Sequence, residues 1–291
     1  MLIIDAHNHP DWHGHNFPKF LANMDRCGIA KTWLLPWESP ADEYDHGSFA
    51  LETPGGADGP IPFSRCLAYA ERAPDRFVLG FCPDPRRPAA VERMKAASEI
   101  YGVRVCGELK LRMMYDNWDA LRLYRFCGER RIPVVFHLDY AFPTGRLFPR
   151  PDWWYGGGID AVERAVRACP ETVFIGHGPG FWAHLSGDGK ETVEPYPKGP
   201  IVSGGRLPAL LRECPNLFAD LSAGSAFKAL TRDANFSRRF LTEFQDRVLF
   251  GRDGFDSRMQ EFLDGLGLDD EVRAKLYAGN ALRLVPEVHP G

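Results

Sequence analysis

Residues 105–139 read VCGELKLRMMYDNWDALRLYRFCGERRIPVVFHLD. Two short apolar runs, VCGELKLR (105–112) and PVVFHLD (133–139), flank NWDALRLYRFCGERR (117–131), whose apolar residues recur at spacings of three and four. The runs have strand length and the middle has the helical period, so the segment predicts strand, helix, strand. A strand buried on both faces reads as a near-continuous apolar run. A helix between two such strands carries the chain back to pair them in parallel.

The same alternation continues in both directions. Strands are predicted over 2–9, 31–37, 77–84, 172–178, 216–223 and 247–255. Helices are predicted over 17–28, 64–75, 89–102, 159–169, 206–214 and 268–285, with a helical region between the last two strands. Eight strand–helix units in about 250 residues predict an α/β fold, a (β/α)₈ TIM barrel, with an open doubly wound sheet as its rival. Residues 1–291 are expected to form one domain, without internal repeats. The long loops at 38–62, 140–157 and 179–203 all follow strands. They therefore belong to the C-terminal face, which holds the active site in barrels.

Composition narrows the function classes. The chain is 44% hydrophobic and 25% charged, with a formal net charge of −4. That balance argues against phosphate-driven nucleic-acid binding and fits a small-molecule substrate. No apolar stretch reaches the ~18 residues of a membrane span, so no membrane partner is expected. No basic segment precedes the N-terminal apolar run, so a signal peptide is not expected. The seven cysteines are scattered, without a C-x-x-C pair. They predict reduced core thiols and a cytoplasmic protein. Homo-oligomerisation is left open.

Polar residues cluster at the predicted strand ends. His7 and His9 end the first strand, Glu108 and Lys110 the fourth, His137 the fifth, His177 the sixth and Asp253 the eighth. A lone histidine at a strand end is usually a hydrogen-bonded core or rim residue. A closed barrel, however, brings these ends together around one small mouth. Four imidazoles and two carboxylates buried there are costly unless something compensates them. A divalent cation does so, because neutral imidazoles and carboxylates are its ligands. This donor set suits Zn²⁺, with Mn²⁺, Fe²⁺, Co²⁺ or Ni²⁺ as alternatives, in a site of one or two ions. No thiolate joins the set, which argues against a closed structural zinc site.

With these residues in place the sequence resembles the amidohydrolase superfamily, in particular its amidohydrolase-related (amidohydrolase 2) branch. The resemblance covers nearly the whole chain. It rests on His7-x-His9, Glu108, His137, His177 and Asp253 on successive strands, and on the closing YAGNALRLV. It implies that His7, His9 and His137 bind metal. Asp253 would contact the metal and serve as general base. His177 would orient water and polarise substrate, or bind a second ion. Glu108 would bridge two ions, with Lys110 as the competing bridge or as a contact for an anionic substrate. Arg252 stands where relatives carry a small residue. Strand alternation points it away from Asp253, so a salt bridge behind the site is expected of it.

The resemblance implies a metal-dependent hydrolase using metal-bound hydroxide on a small amide, ester or lactone. Non-oxidative decarboxylation of an aromatic or unsaturated acid is the alternative. Phosphodiester hydrolysis and a non-catalytic barrel with a vestigial site stand behind it. Trp12, Trp37, Trp153, Trp154 and Trp182, with Lys110, Arg112 and Arg146, fall on or just after strand ends. They outline a pocket for a flat anion, or else pack the loops onto the barrel.

Overall fold

The computed structural model describes residues 1–44, 60–139 and 155–286. The expected alternation is present. The strands are β1 (Ile4–Asn8), β2 (Lys31–Leu34), β3 (Phe77–Leu79), β4 (Cys106–Leu109), β5 (Val134–His137), β6 (Phe174–His177), β7 (Leu217–Asp220) and β8 (Val248–Leu249). They pair in chain order as β1-β2-β3 and β4-β5-β6-β7-β8, and each pairing is parallel. A parallel bridge between Gly80 and Val105 joins the two sheets. The far edges meet where Ala6 N–H donates to Phe250 O at 2.9 Å and Asp253 N–H donates to His7 O at 2.8 Å. The sheet thus closes into a (β/α)₈ barrel with no open edge.

The strands are shorter than the sequence predicts, β8 most of all. The apolar run suggests a strand over 247–255, but the ladder ends at Leu249. Beyond it, Arg252 N–H turns to the Asp5 carboxylate and Asp253 adopts φ 46°. No strand residue has that backbone. Length of apolar sequence therefore overstates the strand where the chain turns to aim a side chain.

Two apolar layers hold the barrel. The inner one joins Ile4, Ala6, Trp33, Leu35, Val105, Val135, Ile175, Phe218 and Leu249, and is closed below by Ala278, Ala281 and Val285 near the C-terminus. The outer one lies between strands and helices. It takes Phe20 and Met24 from the helix Phe17–Arg26, Leu123 and Cys127 from Trp118–Glu129, and Val162 and Val166 from Ile159–Ala168. These pairs recur at i, i+4, the spacing that puts side chains on one helix face. Each large apolar side chain so buried contributes roughly 1.5–3 kcal/mol. Asn117 caps its helix by accepting from Asp119 N–H at 2.8 Å. Asn280, in the closing segment, donates from Nδ2 to Gln245 O at 2.7 Å and Val248 O at 2.8 Å. All seven cysteines are free thiols, and six of them are buried. Among the described residues no helix is long and apolar enough to cross a membrane.

Candidate metal centre

Parallel pairing gathers the carboxyl ends of the strands at one mouth. β5 and β6 are in register, so His137 lies opposite His177. Side chains alternate along a strand. Two residues above the inner apolar layer, Val135 is followed by His137, Ile175 by His177 and Phe218 by Asp220. β1 and β4 break this count. Their register shifts between Asp5 and Asn8 and between Cys106 and Leu109. Such an irregularity re-aims side chains. Here it brings His7, His9 and Glu108 to the mouth.

Glu108 lies at the middle of the group. Its Oε1 is 3.0 Å from His137 Nδ1, 3.5 Å from His177 Nε2 and 3.9 Å from His7 Nε2. Its Oε2 is 3.6 Å from His9 Nε2. Asp253 completes the ring, with Oδ1 3.4 Å from His9 Nε2 and Oδ2 3.7 Å from His177 Nε2. The left-handed backbone at Asp253 turns this carboxylate back over the mouth. The structure thus brings together His7, His9, Glu108, His137, His177 and Asp253.

A further carboxylate, Asp220 at the end of β7, escapes the sequence reading. Its Oδ2 accepts from His7 Nδ1 at 2.8 Å and its Oδ1 from His177 Nδ1 at 3.1 Å. Ser222 Oγ lies 2.5 Å from Asp220 Oδ1 and 2.7 Å from His177 Nδ1. The signal was present: Asp220 ends the run NLFAD as His177 ends TVFIGH. His9 Nδ1 donates to Leu35 O at 2.6 Å. A carbonyl or carboxylate accepts only, so each of these contacts places a proton on Nδ1 and leaves Nε2 facing the mouth.

Charges in the group oppose burial. Burial disfavours a charged His7, yet Asp220, then Glu108 and Asp253, push its pKa up to about 9. Burial lowers His9. Burial and the Lys110 ammonium lower His137 to about 3. Burial would raise Glu108, but Lys110 and His137 hold its carboxyl well below the usual range. Asp220 is held low in the same way, by His177 and His7 against its burial.

The donor set fits a divalent cation. His7 Nε2, His177 Nε2 and Asp253 Oδ1 are buried and make no hydrogen bond. Leaving such atoms unpaired costs about 1–3 kcal/mol each. His7, His9 and Glu108 present ligand atoms within 4.8 Å of one another, and so do Glu108, His137 and His177. Glu108 belongs to both sets. His7, His177 and Asp220 form a third, which the Nδ1 hydrogen bonds already account for. Imidazole nitrogen with carboxylate oxygen is the chemistry of zinc, manganese and iron sites.

The remaining candidates line the wall. Lys110 Nζ sits 3.9 Å from the centre of the Trp37 ring and 5.8 Å from that of Tyr155, outside the histidine and carboxylate group. Arg112 donates its backbone N–H to Glu43 Oε2 at 2.9 Å. Trp37 and Trp182 are buried, with their Nε1–H groups on Lys110 O and Asp220 O. They pin loops to strand ends. Trp12 meets the His9 ring edge-on at 5.5 Å. Trp153, Trp154 and Arg146 lie outside the described residues. Arg252 pairs with Asp5 behind the site, Nε to Oδ2 at 2.9 Å, but from a turn rather than a strand.

Comparison with known proteins agrees with this architecture. The fold resembles an uncharacterised TIM-barrel protein from Bordetella bronchiseptica, at 16% identity and TM-score 0.66 over 98% of each chain. It also resembles a dihydroxybenzoic acid decarboxylase from a Polaromonas species, solved with bound manganese and the inhibitor 2-nitroresorcinol. That match has 15% identity and TM-score 0.60 over 97% of this chain and 96% of the other. A probable 2-pyrone-4,6-dicarboxylic acid hydrolase from Acinetobacter baumannii matches at 10% identity and TM-score 0.58, over 98% of this chain and 99% of the other. No curated protein matches the chain. The family model described as amidohydrolase matches residues 4–286, nearly the whole length, and the chain belongs to that family of enzymes.

Proposed function

We propose that the protein is a cytoplasmic, zinc-dependent hydrolase of a small-molecule amide, ester or lactone. The observation that carries this reading is the set of orphaned atoms at the mouth: His7 Nε2, His177 Nε2 and Asp253 Oδ1, grouped around Glu108. His7, His9, Glu108, His137 and His177 would hold the metal. The chemistry that a divalent cation supplies when bound is Lewis acidity and a water acidified to a pKa of about 7. Asp253 Oδ1 takes a proton from water and returns it to the leaving group. With two ions His177 Nε2 would bind the second; with one ion His177, protonated at Nε2, would instead orient water and polarise the scissile carbonyl. Lys110, on its Trp37 platform, takes an anionic group of the substrate, with Arg112 as the second candidate cation for it. A cavity of about 440 Å³, lined in part by His15, Phe227, Asp253 and Phe255, borders the base.

Decarboxylation of a small carboxylic acid is the second reading. It draws on the fold's similarity to proteins described as decarboxylases of 2,6-dihydroxybenzoate and 5-carboxyvanillate. A substrate panel followed for carbon dioxide release and for amide or lactone opening separates the two readings. Metal analysis of protein purified without added metal is expected to find one or two transition-metal ions per chain. Two per chain would assign Glu108 as their bridge. No metal, with no activity on adding zinc or manganese, would end both readings. Asp253→Asn is expected to keep the metal and lose about 10²–10⁴-fold in turnover. Full activity in that variant would remove Asp253 as the base.

A further inference from the structure

The turn that carries Asp253 is gripped on both sides by side chains of Asp5, Asn8 and Asn23, and Asp5 and Asn8 also accept from the backbone N–H groups of His7 and His9. Asp5 Oδ1 accepts from Arg252 N–H at 2.9 Å, and Asp5 Oδ2 from Arg252 Nε at 2.9 Å. Asn23 Oδ1 accepts from Arg252 Nη1 at 2.6 Å, while Asn23 Nδ2 donates to Phe255 O at 2.8 Å. Asn8 Nδ2 donates to Gly254 O at 2.8 Å and to Asp5 Oδ2 at 3.0 Å. Residues 252, 254 and 255 are each held, and the one between them is Asp253. Its backbone N–H is fixed to His7 O at 2.8 Å, while its Oδ1 makes no hydrogen bond.

We propose that Asp5, Asn8, Asn23 and Arg252 form a clamp that positions the Asp253 carboxylate, with Arg252 as its central positioning residue. The inference rests on the reading of Asp253 as the base. Three arguments support it. First, a non-glycine residue at φ 46° is strained and persists only where its surroundings over-determine it. The clamp does so. Second, Asp5, Asn8, Asn23 and Arg252 are all buried, and burying an ion pair is weak evidence for stability alone. A buried pair that fixes geometry has a different reason to exist. Third, β1 supplies both parts. In Asp5-Ala6-His7-Asn8-His9 the histidines face the mouth, while Asp5 and Asn8 hold the turn that arrives from β8. One strand thereby sets the metal edge and the base against each other.

The test compares Arg252→Lys, Arg252→Met and Asn23→Ala with wild type and with Asp253→Asn. Each is read for metal content, for kcat and KM separately, and for hydrogen exchange at the Asp253 amide. Arg252→Met is expected to keep wild-type metal content and KM, to lower kcat about 10–100-fold, and to speed exchange at Asp253, as loss of a supporting partner does. Arg252→Lys, which keeps the charge opposite Asp5, should recover part of that loss. Should Arg252→Met strand Asp5 as an unpaired buried charge and fail to fold, Asn23→Ala answers the question. It removes one bond to Arg252 and one to Phe255 without stranding a charge. Wild-type kcat and unchanged exchange at Asp253 in the folded variants would overturn the clamp while leaving the base intact. Full turnover in Asp253→Asn would instead overturn the reading on which the clamp rests.

Discussion

Within one barrel interior, a distance of two residues along a strand separates two different kinds of burial. Val135, Ile175 and Phe218 pack with Val105 and Leu249 over Ala278, Ala281 and Val285. Two residues on, His137, His177 and Asp220 are buried as well, with the two histidines facing Glu108 and Asp220 behind His177. In the lower layer, exclusion of water stabilises at about 25 cal/mol per Å² of apolar surface. In the upper layer the same exclusion is unfavourable until partners are found. Asp220 supplies partners on the Nδ1 side of His7 and His177, and the Nε2 side is left for a ligand. The lower layer keeps the barrel shut, and the upper layer uses that rigidity to hold polar atoms that would otherwise move apart.

This comparison predicts a dissociation. His7→Ala should empty the mouth of metal and abolish turnover more completely than Asp253→Asn, because it removes an Nε2 donor of the group itself. Ile175→Ala, directly below His177, should do the reverse. It should lose about 2–5 kcal/mol of stability to the cavity it leaves, with metal content and kcat retained in the folded fraction. Equilibrium denaturation with parallel metal analysis reads both. Metal loss in Ile175→Ala under native conditions would show that the two layers do not act separately.

The sequence made the lower layer and half of the upper one legible. On β5 and β6 simple alternation carries the apolar residue into the polar one, and His137 and His177 are found by counting. On β1 and β4 the register shifts, so alternation alone does not say that Glu108 rather than its neighbours enters the mouth. Those positions came from residue type and from the family resemblance. Asp220 has the same signature, but a carboxylate that holds histidines matches no ligand motif. β8 ends before its apolar run does, since apolar composition does not report a left-handed turn at Asp253. Arg252 was expected behind the site and is found there, but a turn places it rather than strand parity.

Asp220 offers a finer cut within the mouth. Asp220→Asn keeps shape and one acceptor but removes the charge shared by His7 and His177. Loss of such a supporting carboxylate typically costs about 10–100-fold in metal affinity. A competition titration against a chelator should find a loss of that size, with no change in the stability of metal-free protein beyond about 1 kcal/mol. An unchanged affinity would mean that the tautomers of His7 and His177 are set by something other than this carboxylate.

The smallest expected effect concerns how acid reaches the two regions. The apolar layer has nothing to titrate, whereas the loop above β6 is tied down by charge. Asp188 Oδ2 meets Arg232 Nη2 at 2.6 Å, and both side chains are largely buried. Burial would raise the Asp188 carboxyl, but the Arg232 hydrogen bond and charge outweigh it and hold the pKa below its usual value. A carboxyl lowered on folding contributes stability above its unfolded pKa of about 3.9, and that contribution fades as pH falls toward the lowered value. Asp188→Asn should therefore cost on the order of 1 kcal/mol at neutral pH. The gap between variant and wild type should be flat from about pH 5 to 8 and should close below about pH 4. Ile175→Ala, measured beside it, should show a gap that does not change with pH. A gap for Asp188→Asn that persisted into acid would mean that packing, not the ion pair, holds the loop.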